Sequence, residues 1–257
     1  VIGPLLRLYP RQYRIEAGQE ILAVHRESMA GARAADRLRE AADIAGHALR
    51  MRFGVTSSSA AGRLLAHAAP QVAGVAAAYC GLHLSRWYTA ASLSPAFPPL
   101  DADSWTVRLF TSALVAVGAV TALTSRWRAG VWAAVVGLVA FAAATVVSGP
   151  AFGDPVVTPL MALLAALALA AAPPDLPPGK RDRATAGATA AAVWAPATAL
   201  YAGVLPVSTD YGLWPLLVLG ACGVARALRQ RTLAVVRAAA TVVACPLFLA
   251  YAHTVGP

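Results

Sequence analysis

From about residue 66 onward the sequence is a succession of apolar runs, each close to the ~20 residues that an α-helix needs to cross about 30 Å of hydrocarbon. Short connections between them hold most of the remaining charge. In lipid every backbone N–H and C=O must find its partner inside the segment, which leaves helices as the solution for runs of this length. Seven are predicted, at about 66–87, 105–125, 129–149, 155–173, 186–206, 211–228 and 232–253. The fourth and sixth are short and carry Pro155 with Pro159, and Pro215, so a re-entrant or tilted path is an alternative there. The composition agrees: 58% of the 257 residues are hydrophobic and 13% charged, against roughly 25% charged in an ordinary soluble domain.

The connections also orient the runs. Arg126 and Arg128, then Lys180, Arg181 and Arg183, then Arg226, Arg229 and Arg231 fall in every second connection, while Arg86 and Arg108 stand near the others. Cations collect on the cytoplasmic side of a membrane protein, so the N-terminus is expected in the cytoplasm and, with seven spans, the C-terminus outside. Asp101, Asp103, Asp154 and Asp210 fall on the outer connections. The net charge of +9 is thus explained by topology, and no direct nucleic-acid binding is expected. Arg237, about six residues into the last run, is close enough to its inner end to snorkel to the headgroups.

The first 67 residues differ in kind, with 10 of the 21 Lys and Arg and 6 of the 12 Asp and Glu. Nothing at the start has the length and apolarity of a signal-peptide core, so the first span is expected to direct insertion. Residues 10–30 carry Tyr13, Ala17, Ile21 and Val24 on one helical stripe, and residues 33–53 carry Leu38, Ala42, Ala45, Leu49 and Phe53 on another. Two short amphipathic helices are marginal alone and must pack on each other, on the bilayer surface or on a partner. The small, uncharged stretch "GVTSSSAAG" reads as a flexible connector. The expected organisation is a cytosolic helical head at 1–53, a linker at 54–65 and a membrane bundle at 66–257, an all-α polytopic fold.

Few residues point to chemistry. Tyr79, His83 and Arg86 recur at helical spacing on the outer half of the first span and, with Asp101 and Asp103, are candidates for an external pocket; an interfacial anchor is the competing reading. Gly187, Ala191, Ala195, Ala199 and Gly203 place a small residue at every fourth position, a geometry for close helix approach. The predicted spans lack an internal Asp or Glu, which argues against a proton-coupled pump. The sequence has no G-x-x-x-x-G-K-[ST] phosphate loop and no H-E-x-x-H zinc helix. Cys80, Cys222 and Cys245 are isolated from one another. No catalytic residue, metal or cofactor is expected.

Residues 6 to 21, "LRLYPRQYRIEAGQEI", carry the pattern L-x-L-Y-P-x-x-Y-R-x-x-x-G-x-E through Leu6, Leu8, Tyr9, Pro10, Tyr13, Arg14, Gly18 and Glu20. This resembles the HAAS-type and permease-prefix modules found at the N-termini of actinobacterial integral membrane proteins. The resemblance covers about the first 55 residues. It implies a cytosolic adaptor on a protein of the bacterial inner membrane, with Tyr9, Pro10, Tyr13, Arg14 and Glu20 docking a PadR-type regulator or an ABC transporter component. It carries no catalytic residues across.

Two functions therefore stand open. One is a non-enzymatic anchor, sensor or accessory subunit whose head docks a partner, with homo-oligomers of the bundle compatible with it. The other is a small permease subunit moving an apolar or amphipathic solute, for which Tyr79, His83, Thr145, Ser148, Thr198, Tyr201 and Thr241 are the available polar residues.

Overall fold

The computed structural model describes residues 6–28, 33–93, 103–148 and 156–201. Among these the protein is entirely helical: α1 (Arg11–Ser28), α2 (Ala34–Arg52), α3 (Ala60–Leu93), α4 (Asp103–Thr124), α5 (Trp127–Ser148), α6 (Val157–Ala171) and α7 (Lys180–Tyr201). The expected sixth and seventh spans, 211–228 and 232–253, and the residues Cys222, Arg237, Thr241 and Cys245 lie outside the described residues. Contacts divide the chain into two compact units, Val1–Arg63 and Leu64–Pro257.

The first unit is built on an antiparallel helix pair. Tyr9, just before α1, reaches the last turns of α2, where its hydroxyl lies 3.5 Å from the Ile44 carbonyl oxygen and its ring meets His47. This register keeps most of the first expected stripe and shifts the second. Tyr13, Ala17 and Ile21 are half-buried, but Val24 is exposed. On α2, Leu49 and Phe53 are exposed, whereas Ala48 is fully buried and Ile44 and Ala45 are half-buried. Steps of three and four fit more than one series on a helix this rich in alanine, and contact with Tyr9 selects the one through Ile44 and Ala48.

The expected flexible connector consists of two helix caps placed back to back. Gly54 adopts φ +66°, the left-handed conformation that glycine takes at a helix C-terminus. The Gly54 N–H donates to the Met51 carbonyl at 3.2 Å and the Val55 N–H to the Arg50 carbonyl at 2.8 Å. Ser59 then caps α3, its hydroxyl oxygen accepting from the Gly62 N–H at 2.9 Å. Residues 60–65, expected in the linker, are helical.

In the second unit α3 is the central helix. Every residue from Val72 to Leu82 is buried, on all faces, the pattern of a helix surrounded by others. Its 34 residues exceed the expected 66–87, and His67, Pro70, Gln71 and His83 dilute its apolar character. Among the described residues, two helices are long and apolar enough to cross a membrane, over Thr106–Thr124 in α4 and Trp127–Val147 in α5.

These two form a tight antiparallel hairpin turning at Ser125 and Arg126. A Cβ on Gly118 would lie 2.6 Å from the Ala134 nitrogen, and one on Gly137 would lie 2.9 Å from the Val115 nitrogen. A Cβ on Gly130 would strike the Ala122 backbone. Backbones this close require small residues, the rule for helix pairs that pack by van der Waals contact. The expected small-residue face on the fifth run does not act this way at Gly187, where a Cβ would meet nothing within 4 Å.

α6 has 15 residues, about 22 Å of helix. It ends because Ala172, at φ −58° and ψ 130°, precedes Pro173, which disfavours helical geometry in its neighbour. Pro159 sits in the first turn, where its missing N–H is harmless. α7 starts at Lys180, so Lys180, Arg181 and Arg183 occupy its first turn.

Helix directions follow from the contacts. The Arg128 Nη2 donates to the Pro174 carbonyl at 3.1 Å, joining the α4–α5 turn to the α6–α7 loop at one end of the unit. Gly74 approaches Ala186, about 9 Å into α7, whereas Tyr79 and His83 meet Phe141, about 21 Å into α5. α3 therefore runs parallel to α5 and α7, away from the end that holds Arg126, Arg128, Lys180, Arg181 and Arg183.

Candidate functional site

The motif residues of the head divide into an inside and an outside. Tyr9 is only 4% exposed. Its ring stacks on Tyr13 at 5.2 Å between centroids, and His47 tilts against it at 5.8 Å. Burial pushes the Tyr9 phenol above its usual pKa of 10, the neighbouring Tyr13 adds to the rise, and Arg50 opposes it. Pro10 precedes the helix, its carbonyl accepting from the Arg14 N–H at 3.1 Å. It is thus the cap residue rather than the first helical residue. Arg14 and Glu20 are exposed, as is Glu16, which accepts a hydrogen bond from Gln12 at 3.2 Å.

Of the five motif positions, Tyr9 thus holds the helix pair together, Tyr13 supports it, and Arg14 and Glu20 offer charge at the surface. Sequence reasoning missed Ile44 and His47 as the partners of Tyr9. Their signal was available only as one of two competing stripes on α2.

The expected outer pocket is described in part. Tyr79 is buried and His83 half-buried. Their rings meet edge-on at 4.6 Å, and Phe141 completes the cluster at 6.3 Å from Tyr79 and 5.8 Å from His83. Edge-to-face rings of this kind are a packing arrangement, here between α3 and α5. Phe141 was not anticipated, because nothing in a single sequence pairs it with residues some sixty positions earlier. Arg86 and Asp103 lie within α3 and α4, but their side chains, and the whole of Asp101, fall outside the described residues.

Among the residues proposed for a polar path, Thr145 is buried and its hydroxyl donates to the Phe141 carbonyl at 2.8 Å in its own helix. The side chains of Ser148, Thr198 and Tyr201 are not described.

The same back-bonding recurs. Thr111 donates to the Arg108 carbonyl, Thr121 to Val117, Thr124 to Val120, Thr185 to Arg181 and Thr189 to Thr185, at 2.7 to 3.0 Å. Hydroxyls satisfied by their own helix need neither water nor a partner. No group of three or more His, Cys, Asp or Glu that could hold a metal ion occurs among the described residues. No protein-family model, curated protein or solved structure matches the chain.

Proposed function

We propose that this is a non-enzymatic integral membrane protein of the bacterial cytoplasmic membrane, with about seven spans, whose N-terminal helical head docks a cytosolic regulator or transporter component. The observation that carries the membrane part is the inverted sorting of side chains in α4, α5 and α6. Their contacts with the core are made by Val115, Ala119, Ala122, Ala134, Ala162, Ala165 and other mostly small residues. Phe110, Val117, Val120, Trp132, Val136, Val147, Leu160 and Leu167 face outward, Phe110 at 72% exposure. A soluble domain rarely exposes an apolar surface this continuous, whereas lipid is a good solvent for it and leaves helix contacts to small residues.

The five cations gathered at one end of the second unit support a cytoplasmic position for that end. The head is assigned to the same side because no apolar run separates it from the first span in the sequence. The docking role rests on the likeness of residues 6 to 20 to HAAS-type and permease-prefix modules, and on the exposed charges Arg14, Glu16 and Glu20. The permease alternative gains no specific observation, since Thr145 bonds its own helix and Tyr79 and His83 join an aromatic cluster.

Crosslinking and affinity capture from native membranes, comparing the full chain with a variant lacking residues 1 to 62, tests the docking role. A regulator or transporter ATPase captured by the full chain and lost from the shortened one is the expected result. Identical captures would refute it.

A further inference from the structure

Among the large apolar side chains that the head exposes, Ile15, Val24, Leu49 and Phe53, the last two are gathered at one helix end. Leu49 and Phe53 stand one turn apart at the end of α2, 41% and 73% exposed. Arg50 and Arg52 lie in the same last turn. Between Asp43 and Asp101 the sequence has no acidic residue, so Arg50 and Arg52 belong to a purely cationic stretch of chain. The double cap at Gly54 and Ser59 keeps the link short: six residues, or at most about 20 Å of chain, separate Phe53 from the start of α3.

We propose that the last turn of α2 is an interfacial anchor, with Leu49 and Phe53 seated among the headgroups of an anionic lipid leaflet and Arg50 and Arg52 on its phosphates. This rests on the membrane reading above and adds a contact to it. The chemistry matches on each count: an aromatic and an aliphatic side chain for the acyl boundary, two cations from a stretch of sequence without acids for anionic headgroups, and a short capped link to a helix that enters the apolar unit. A partner protein is the other occupant to test against, but a cationic, acid-free stretch of sequence that leads into the apolar unit favours lipid.

The test uses the full chain, with Cys80, Cys222 and Cys245 replaced by Ala, reconstituted in vesicles containing nitroxide-labelled lipid. An environment-sensitive fluorophore is attached at Phe53→Cys or, separately, at Val136→Cys on the outward face of α5. Position 53 is expected to be quenched by headgroup-region nitroxide in phosphatidylglycerol vesicles and much less in pure phosphatidylcholine. Arg52→Gln is expected to lower the equilibrium constant for its lipid contact about five-fold, the loss of one cation near an anionic surface. Position 136 is expected to be quenched in both lipids. Quenching at 136 but not at 53 would overturn the anchor alone. Equal quenching at 53 in the two lipids would overturn the role given to the arginines. Absence of quenching at both positions would sink the membrane reading and the anchor with it.

Discussion

Tyr9 is the residue on which the head depends, and its environment gives it two measurable consequences. Removing the ring by Tyr9→Ala takes away a buried aromatic, a loss of about 3 kcal/mol that a two-helix unit can ill withstand. Tyr9→Phe keeps the ring and removes a hydroxyl whose contact with Ile44 is already long at 3.5 Å, so it costs about 0.5 kcal/mol. Subtilisin nicking of the head in the full chain should therefore rise sharply for Tyr9→Ala and little for Tyr9→Phe. The pH dependence has a definite sign. The folded head raises the phenol above its usual 10, so it favours the neutral form. That stability is fully present below pH 10 and is lost as pH rises through the raised value. Alkaline loosening of the head, read by the same nicking, should be weaker in Tyr9→Phe; an unchanged alkaline profile in that variant would show that Tyr9 does not carry the effect. The sequence made Tyr9 conspicuous through its place in the L-Y-P-x-x-Y pattern, but not its burial. Burial depends on which series on α2 it meets, and Leu49 with Phe53 is as well spaced as Ile44 with Ala48.

At the scale of the elements, spacing identified the two strongly apolar helices within about two residues, because each run ends where charge or a turn begins. It located α6 as closely, 155–173 against Val157–Ala171, and the start of α7 less well, since that helix begins with a charged first turn that reads as loop. The close-packing face expected on the fifth run is open at Gly187, and its positions Ala195, Ala199 and Gly203 lie outside the described residues or side chains. Alanine is so frequent that fourth-position series occur throughout, and it is the two-residue turn between α4 and α5 that brings backbones together at Gly118, Gly130 and Gly137. This yields a contrast of sign. Gly130→Ala drives a methyl into the Ala122 backbone and should destabilise the protein by about 1–3 kcal/mol. Gly187→Ala has open space and should be neutral or stabilising by about 0.5 kcal/mol through helix propensity. Thermal unfolding in one detergent, followed by helical circular dichroism, separates the two, and equal effects would contradict the packing described. The caps make a parallel case: Ser59→Ala removes the acceptor for the Gly62 N–H and should cost about 1 kcal/mol, with faster proteolysis at 54–62 as its local sign.

For the whole molecule, the contact between Arg128 and Pro174 turns a pattern of charges along the sequence into a statement about space. Counting cations in alternate connections predicts that two loops share a side only if the number of crossings between them is even. The hydrogen bond places those loops at one end without any such counting. The proposed topology therefore makes a prediction with two separable parts. In intact cells, a membrane-impermeant thiol reagent should fail to modify Ser125→Cys in the α4–α5 turn and Leu176→Cys in the α6–α7 loop. It should modify both after permeabilisation. Tyr88→Cys, toward the far end of α3 and 70% exposed, should react in intact cells. If positions 125 and 176 reacted from outside while 88 did not, the bundle geometry would stand and its orientation would be reversed, against the charge rule. If 125 and 176 reacted on opposite sides, the arrangement of α4, α5 and α6 would itself be wrong. The joint behaviour of 125 and 176 thus tests the fold, and their side tests the reading of the head as a cytosolic docking element.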